Sequence, residues 1–289
     1  MNTAYQFYLE KLQTIYALDE AQAITNQVFE EVLLVKPHQI KMLNKPLSDG
    51  EEANLMDILN RLLKHEPMQY ILGNAWFYGN KFIVTPDTLI PRSETEELVE
   101  LILNTVANQE GSLSSNPKII DIGTGSGCIA ISLKLNLPHA DVWALDKSAD
   151  ALAIAKQNAK ELNAQIQFIE DDILYINQAE TVQFFDIIVS NPPYILENEQ
   201  ENMHENVLAF EPHQALFVAN TQPLLFYEAI ANYALKYLKP NGYLFFEINQ
   251  QFGNQTTAML QEKGFLDIKL LQDINGNDRM VMARNGDSY

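Results

Sequence analysis

From Lys118 onward the chain alternates short apolar runs with helix-patterned stretches, and this alternation constrains the fold more than any other feature. Ile119-Ile120-Asp121-Ile122 reads as a short buried strand, followed by a glycine turn and a helix over 128–135. Strand patterns recur at 141–145, 166–169, 185–189 and 243–248, with helical patterns at 149–162, 224–238 and 256–263. Strands separated by helices bury their apolar residues by lying side by side in a parallel sheet covered by helices on both faces. Lys239-Pro240-Asn241-Gly242 is expected to end one of those helices, and Gly264 another. The C-terminal end breaks the rhythm. Residues 266–271 and 279–283 flank Asp273-Ile274-Asn275-Gly276-Asn277-Asp278 with no helix between them. That connection is a hairpin, so the last strand is expected to run antiparallel.

The first seventy residues show no strand pattern. Tyr5, Leu9, Leu12 and Tyr16 recur at threes and fours, as do Val28, Val32 and Val35. Asp19 is placed to cap one helix. Ser48 or Asp49 is placed to cap another over 51–64, where Leu55, Ile58, Leu59 and Leu62 form an apolar stripe. Pro37, Pro46 and Pro67 punctuate between the helices. The texture changes near Met68. Residues 75–84 read as a hairpin around Gly79-Asn80, and Ser93-Glu94-Thr95-Glu96 has the spacing of a capping box opening a helix to about Leu103. A polar loop follows over 109–117. The chain is therefore expected to divide into a helical domain (1–70), a hairpin linker (71–90) and an α/β domain (91–289).

Of the 289 residues 47% are hydrophobic, enough for a full core and too many for a disordered chain. Lys plus Arg number 19 and Asp plus Glu 38, a formal net charge of -19, and such a field repels phosphate backbones. The one cysteine, Cys128, excludes an intramolecular disulfide. It stands at a helix start, which can lower a thiol pKa, but a small buried residue is the preferred reading. No basic segment followed by an apolar run opens the chain, and no apolar stretch reaches the ~18 residues of a membrane helix, so a cytoplasmic protein is expected. The oligomeric state stays open, with a monomer favoured. His204 and His213 lack metal-ligand spacing and there is no H-E-x-x-H, so no metal is expected.

Two motifs carry chemistry. Between the strand at 119–122 and the next helix lies Gly123-Thr124-Gly125-Ser126-Gly127. Glycines there let the backbone turn sharply and let a ligand approach the carboxyl ends of the parallel strands. The third glycine comes one residue too early for the dinucleotide fingerprint. Asp146 ends the second strand, where its carboxylate can accept from both ribose hydroxyls and would repel a 2′-phosphate, which argues against NADP. After the third strand, Asp172 can accept from an adenine amino group while Ile173 packs on the ring; Asp171 reads as a solvated loop charge. The G-x-G-x-G form with these acidic groups suits S-adenosyl-L-methionine, whose sulfonium and ammonium tolerate nearby carboxylates such as Asp121.

The second motif is Asn191-Pro192-Pro193-Tyr194, at the carboxyl end of the fourth strand. Asn191 precedes a proline and is held extended, and two prolines in succession make a stiff loop. An amide or aromatic amine nitrogen is a poor nucleophile because its lone pair is delocalised. Two acceptors holding its two N–H groups turn that lone pair toward a methyl carbon. The Asn191 side-chain oxygen and the Pro192 carbonyl are the candidates, with Tyr194 stacking on the planar group, so positioning is the main contribution.

Taken together, these residues resemble the release-factor glutamine methyltransferase family. The resemblance runs the length of the chain, through Gln69-Tyr70-Ile71-Leu72-Gly73, Phe77-Tyr78-Gly79, Leu89-Ile90-Pro91-Arg92, Glu94-Thr95-Glu96, residues 121–130 and 189–195, Phe210-Glu211-Pro212, Ala215-Leu216, and Gly276 with Asp278-Arg279. It implies a class I (Rossmann-like) methyltransferase with a seven-stranded sheet and an N-terminal helical domain for substrate recognition. The implied activity is methyl transfer to the N5 amide nitrogen of the Gly-Gly-Gln glutamine of class 1 peptide-chain release factors. It places cofactor contacts on residues 123–127, Asp146, Asp172, Ile173 and Asn191, and substrate contacts on Asn191, Pro192, Pro193 and Tyr194. The chain departs from the family pattern at Ser93, where proline is usual, and at Asn249, where Glu247-Ile248-Asn249 replaces Glu-Ile-Gly. Arg92 is read as closing the cofactor pocket, contacting substrate, or forming a structural salt bridge; Glu211 is given no role.

Three alternatives are weighed against this reading. A DNA adenine-N6 methyltransferase shares Asn-Pro-Pro-Tyr, but it must extract a base and hold the duplex with cations, against the charge of -19. A methyltransferase for a glutamine in another protein is set aside by the full-length resemblance. A non-catalytic S-adenosylmethionine sensor would have no use for the two amide acceptors of the Asn191 loop.

Overall fold

The computed structural model describes residues 1–40, 46–108, 116–176 and 183–286. Most of the polar loop expected over 109–117 lies outside the described residues. The chain packs as two compact units, one of residues 1–74 with 204–210, the other of 75–203 with 211–289.

The first unit holds helices α1 (Asn2–Leu12), α2 (Leu18–Leu33), α3 (Pro37–Ile40), α4 (Asp49–Leu62) and α5 (Met68–Leu72). The stripes at threes and fours become its core: Tyr5, Tyr8, Leu12, Val28, Phe29, Leu55, Ile58, Leu59 and Leu62 are buried together. Tyr5 and Tyr8 both set their rings edge-on to Phe29. Ser48 caps α4 with a full capping box: its hydroxyl accepts from the Glu51 amide, and the Glu51 carboxylate accepts from the Ser48 amide at 2.7 Å. Asp19 does not cap α2. The helix begins at Leu18 behind Ala17, and Asp19 sits in the first turn, where its charge favours the helix dipole.

The second unit opens with the hairpin β1 (Asn74–Phe77) and β2 (Asn80–Ile83). The turn residues are Tyr78 and Gly79, both with positive φ, one position earlier than expected. From Ala75 on, the hairpin belongs to the second unit. Phe77 and Phe82 are buried in the core of the second unit. Asn158 takes the Ile83 amide on its side-chain oxygen and donates to the carbonyls of Ile83 and Ser126.

Next come α6 (Ser93–Asn108), β3 (Lys118–Ile122), α7 (Cys128–Asn136), β4 (Asp141–Asp146), α8 (Ala149–Glu161), β5 (Ile166–Glu170) and β6 (Phe185–Ser190). Short elements follow: β7 (Ile195–Leu196), α9 (Glu205–Phe210), which belongs to the first unit, then α10 (His213–Leu216) and β8 (Phe217–Val218). The chain closes with α11 (Leu225–Tyr237), β9 (Leu238–Glu247), α12 (Gly253–Glu262), β10 (Leu266–Gln272) and β11 (Asp278–Arg284).

Seven strands form one sheet in the order β10-β11-β9-β6-β3-β4-β5. Every described pairing from β9 to β5 is parallel, and β11 runs antiparallel to both β9 and β10. The central strand β6 is buried along its whole length, as a strand covered on both faces must be. Two apolar layers flank the sheet, one including Leu98, Ile102 and Ile131, the other Ile120, Tyr227, Ile230 and Leu260.

Two local expectations fail for tertiary reasons. Ser93 and Glu96 do not form a capping box: Ser93 lies inside α6, and Glu96 accepts from the Tyr78 amide at 2.8 Å. α6 also runs on past Leu103 to Asn108. Lys239-Pro240-Asn241-Gly242 ends α11 but then forms the first part of β9. There Gly242 packs so closely on the Asp186 carbonyl that a Cβ would sit 2.9 Å from it. No described helix is long and apolar enough to cross a membrane.

Candidate active site

The carboxyl ends of β3, β4 and β6 border a cavity that opens to solvent, where open parallel sheets bind ligands. The register aligns Asp121 with Val189, Ile122 with Leu145 and Ser190 with Phe246. The residues that follow those positions thus share one edge of the sheet.

The glycine turn is built mostly by backbone hydrogen bonds. The amides of Gly123 and Thr124 both donate to the Leu145 carbonyl, at 2.8 and 3.0 Å. The Gly125 amide donates to Asp146 Oδ2 at 2.8 Å, and the Ser148 amide to Asp146 Oδ1 at 2.9 Å. A carboxylate has about four acceptor sites, so Asp146 keeps capacity for a further donor. Burial pushes this carboxyl above its ordinary pKa, and the amides of Ser148 and Gly125 oppose the shift. Gly127 caps α7 at φ +82, and a Cβ there would stand 3.0 Å from Ile131 and 3.1 Å from Ala155, so both conformation and packing demand glycine.

Gly123, Gly125, Asp146, Asp172, Ile173, Asn191, Pro192 and Pro193 line the cavity. Thr124, Ser126 and Gly127 do not; they are buried in the turn behind it. Asp172 Oδ1 accepts from the Leu174 amide, fixing the bend after β5. Asp171, read from sequence as a solvated loop charge, is a half-buried lining residue whose carboxylate accepts from the Asp172 amide.

Asp121 is fully buried. Its Oδ2 accepts from the Thr124 hydroxyl at 2.6 Å, and the Ala130 amide at the start of α7 also favours its charged form. Burial pushes the carboxyl up to about 7, against the pull of Thr124. Cys128 is buried too, and burial pushes its thiol up to about 12, the reverse of helix-start activation.

The Asn191 loop is built differently, by side chains from distant segments. Ser190 Oγ donates to the Ile122 carbonyl at 2.6 Å and locks the end of β6 to β3. Asn191 Nδ2 donates to Thr95 Oγ1 at 3.2 Å. Thr95, in the first turn of α6, donates to Glu247 Oε2 at 2.6 Å. The Tyr194 hydroxyl donates to Glu247 Oε1 at 3.0 Å. Thr95 and Glu247 are 3% and 1% exposed, so the middle of this chain of hydrogen bonds is shielded from water. Burial raises the Glu247 carboxyl, opposed by the Thr95 and Tyr194 hydroxyls and by Arg279.

Tyr194 does not line the cavity; its ring packs with the apolar layer around Ile120 and Tyr227. Asn249 braces the loop, donating from Nδ2 to the Tyr194 carbonyl at 3.2 Å and to Glu199 at 3.1 Å. Arg92 pairs with the buried Glu211 at 2.6 Å, and Glu211 also accepts from the Ile90 amide. Of the roles open to Arg92, the structural salt bridge is the one present.

No local pattern marks Thr95 or Glu247. They stand in Glu94-Thr95-Glu96 and Glu247-Ile248-Asn249, and 152 positions separate them. Among the described residues no three His, Cys, Asp or Glu side chains are grouped to hold a metal ion.

The residues present fit S-adenosylmethionine. Asp146 lines the cavity beside an amide-built turn and keeps acceptor capacity for a further donor, and Asp172 and Ile173 line the same cavity.

Comparison with known proteins gives the following. The family described as Methyltransferase small domain matches residues 93–217, and the PrmC N-terminal domain matches residues 4–73. A release factor glutamine methyltransferase of Flavobacterium psychrophilum is 44% identical over 280 residues, 95% of each chain. One of Bacteroides thetaiotaomicron is 42% identical over 98% of this chain and 99% of its own. Among solved structures, the human Mettl16 catalytic domain in complex with an RNA hairpin superposes with a TM-score of 0.56 at 17% identity, over 82% of this chain and 81% of that one. A Pyrococcus furiosus methyltransferase superposes with 0.54 at 14% identity, over 83% and 100%. At such identities these two structures bear on the fold alone.

Proposed function

The chain belongs to the release factor glutamine methyltransferase family, and from that premise we propose how its own residues carry out the reaction. The protein is an S-adenosylmethionine-dependent methyltransferase acting on a release factor glutamine. The proposal concerns the atom modified, the residues responsible and the division of labour along the chain. The acceptor is the N5 amide nitrogen of the glutamine in the Gly-Gly-Gln motif of class 1 release factors.

S-adenosylmethionine supplies an electrophilic methyl group on a sulfonium. Gly123, Gly125 and Asp146 bind it, Asp146 through the lone pairs its amide partners leave free. Asp172 and Ile173 take the adenine. Thr124, Ser126 and Gly127 hold the turn in shape from behind.

Asn191 Oδ1 and the Pro192 carbonyl accept from the two N–H groups of the glutamine amide. This turns the nitrogen lone pair out of conjugation and toward the methyl carbon. Pro193 stiffens the loop, and Tyr194 fixes its far end through Glu247. No general base is needed, because a methylated amide nitrogen becomes acidic enough to lose its proton to water. The observation that carries this reading is the hydrogen bond from Asn191 Nδ2 to Thr95, which leaves Oδ1 as the acceptor.

Residues 1–70, with their own core, are proposed to recognise the release factor, and residues 91–289 to carry the chemistry. The net charge of -19 supports a protein substrate over a DNA duplex. The test is incubation with S-adenosylmethionine and either a class 1 release factor or duplex DNA, followed by peptide and nucleoside mass spectrometry. A methyl on the Gly-Gly-Gln glutamine is expected. Methylated adenine with an unmodified factor would overturn the reading.

A further inference from the structure

A primary amide has two ends of nearly the same shape and opposite hydrogen-bonding sense. Turned by 180°, Asn191 would present an NH2 group to the glutamine amide, donor against donor. Something must therefore choose between two conformers that fill the same space.

The buried chain behind Asn191 makes that choice. A carboxylate only accepts hydrogen bonds. Glu247 takes one from Tyr194 on Oε1 and one from Thr95 on Oε2. The single hydroxyl proton of Thr95 is thereby committed to Glu247. Thr95 Oγ1 then faces Asn191 with lone pairs alone, so the group meeting it must be a donor, and Nδ2 is that group at 3.2 Å. Oδ1 is left for the cavity that Asn191 lines. Neither Thr95 nor Glu247 lines that cavity, so both act through Asn191.

We propose that Thr95 and Glu247 are positioning residues that fix the polarity of the Asn191 amide, the carboxylate setting the direction of the hydrogen bonds and the hydroxyl relaying it. The inference rests on the reading of Asn191 as acceptor for the glutamine amide. It assigns Glu247 no proton transfer and no contact with either substrate.

The test uses the full chain with an unmethylated release factor and labelled S-adenosylmethionine. Turnover number, KM for the factor, cofactor Kd by calorimetry and Tm are measured for Thr95→Ser, Thr95→Val, Glu247→Gln and Asn191→Ala. Valine keeps the shape of threonine without the relay. Glutamine at 247 can donate to Thr95, which lets the relay run backwards.

Thr95→Val and Glu247→Gln are expected to lose turnover on the order of tenfold or more, with KM and Kd within about twofold of the wild type, as loss of an interaction felt only during reaction requires. Thr95→Ser should stay within about threefold, since its hydroxyl restores the relay. If Thr95→Val does not fold, Thr95→Ser and Glu247→Gln decide the matter between them. Wild-type turnover in Glu247→Gln, or a loss in Thr95→Ser as deep as in Thr95→Val, would overturn the proposal. Loss in Asn191→Ala with none in the other variants would overturn the relay alone. Undiminished turnover in Asn191→Ala would overturn the reading beneath it.

Discussion

The glycine turn after β3 and the Asn191 loop after β6 end neighbouring strands and face one cavity, yet they are held in shape by different means. The turn is made of amides, the Leu145 carbonyl and the Asp146 carboxylate that ends β4, so its partners lie within about one strand–helix–strand unit. The Asn191 loop is made of side chains gathered from α6, β9 and the segment after it. The first arrangement shapes a space. The second selects one of two orientations of a single amide. A binding surface needs only geometry, which glycines and backbone supply. On the proposed reading, an acceptor aimed at a reacting nitrogen also needs polarity, which the buried Glu247 at the end of the hydrogen-bond chain would set.

The contrast predicts separable defects. The largest is expected for Asn191→Ala, a loss of turnover on the order of 10²-fold, comparable to removing one preorganised polar contact, with cofactor affinity unchanged by calorimetry. A parallel loss of cofactor affinity would erase the distinction between the two loops. Next is Gly127→Ala, where φ +82 and the 3.0 Å approach to Ile131 should lower stability by about 1–3 kcal/mol in denaturant unfolding. An unchanged midpoint would mean that the turn tolerates a side chain and that its glycines serve only ligand approach.

Asp146→Ala should weaken cofactor binding by roughly tenfold, the worth of a charge-assisted hydrogen bond, while KM for the release factor stays put. Equal affinity in mutant and wild type would remove Asp146 from the ribose site. The smallest effect belongs to Ser190→Ala, which breaks the bond from β6 to the Ile122 carbonyl and should cost about 1 kcal/mol of stability with little change in turnover. A deep loss of turnover there would show that the strand ends, and not the relay, hold Asn191 in place.

Much of this was legible beforehand. The alternation after Lys118 is a local pattern of apolar residues, and it reappears as the parallel run β9-β6-β3-β4-β5. The hairpin of β10 and β11 follows from the missing helix between them. The cavity collects eight of the eleven residues of the glycine turn, Asp146, Asp172, Ile173 and the Asn191-Pro192-Pro193 run, because these segments follow strands that end on one edge.

What stayed hidden was tertiary in origin. Ser93 and Glu96 have capping spacing, but the Tyr78 amide claims Glu96. Tyr194 has the flat ring that a planar substrate would suit, but its hydroxyl finds Glu247 and the ring turns into the core. Asp171 has the look of a loop charge, yet the bend after β5 turns it to the cavity.

By itself the sequence determined the layers, the strand–helix order, the place of the glycine turn and the loop bearing Asn191. Periodicity, glycine and proline act within a few residues of chain, and such short-range constraints survive without a partner. Only the tertiary structure decided that a threonine at position 95 and a glutamate at position 247 stand behind that loop. Hydrogen-bond polarity in a buried cluster depends on which donors and acceptors meet in space. No local pattern carries that information across 152 residues.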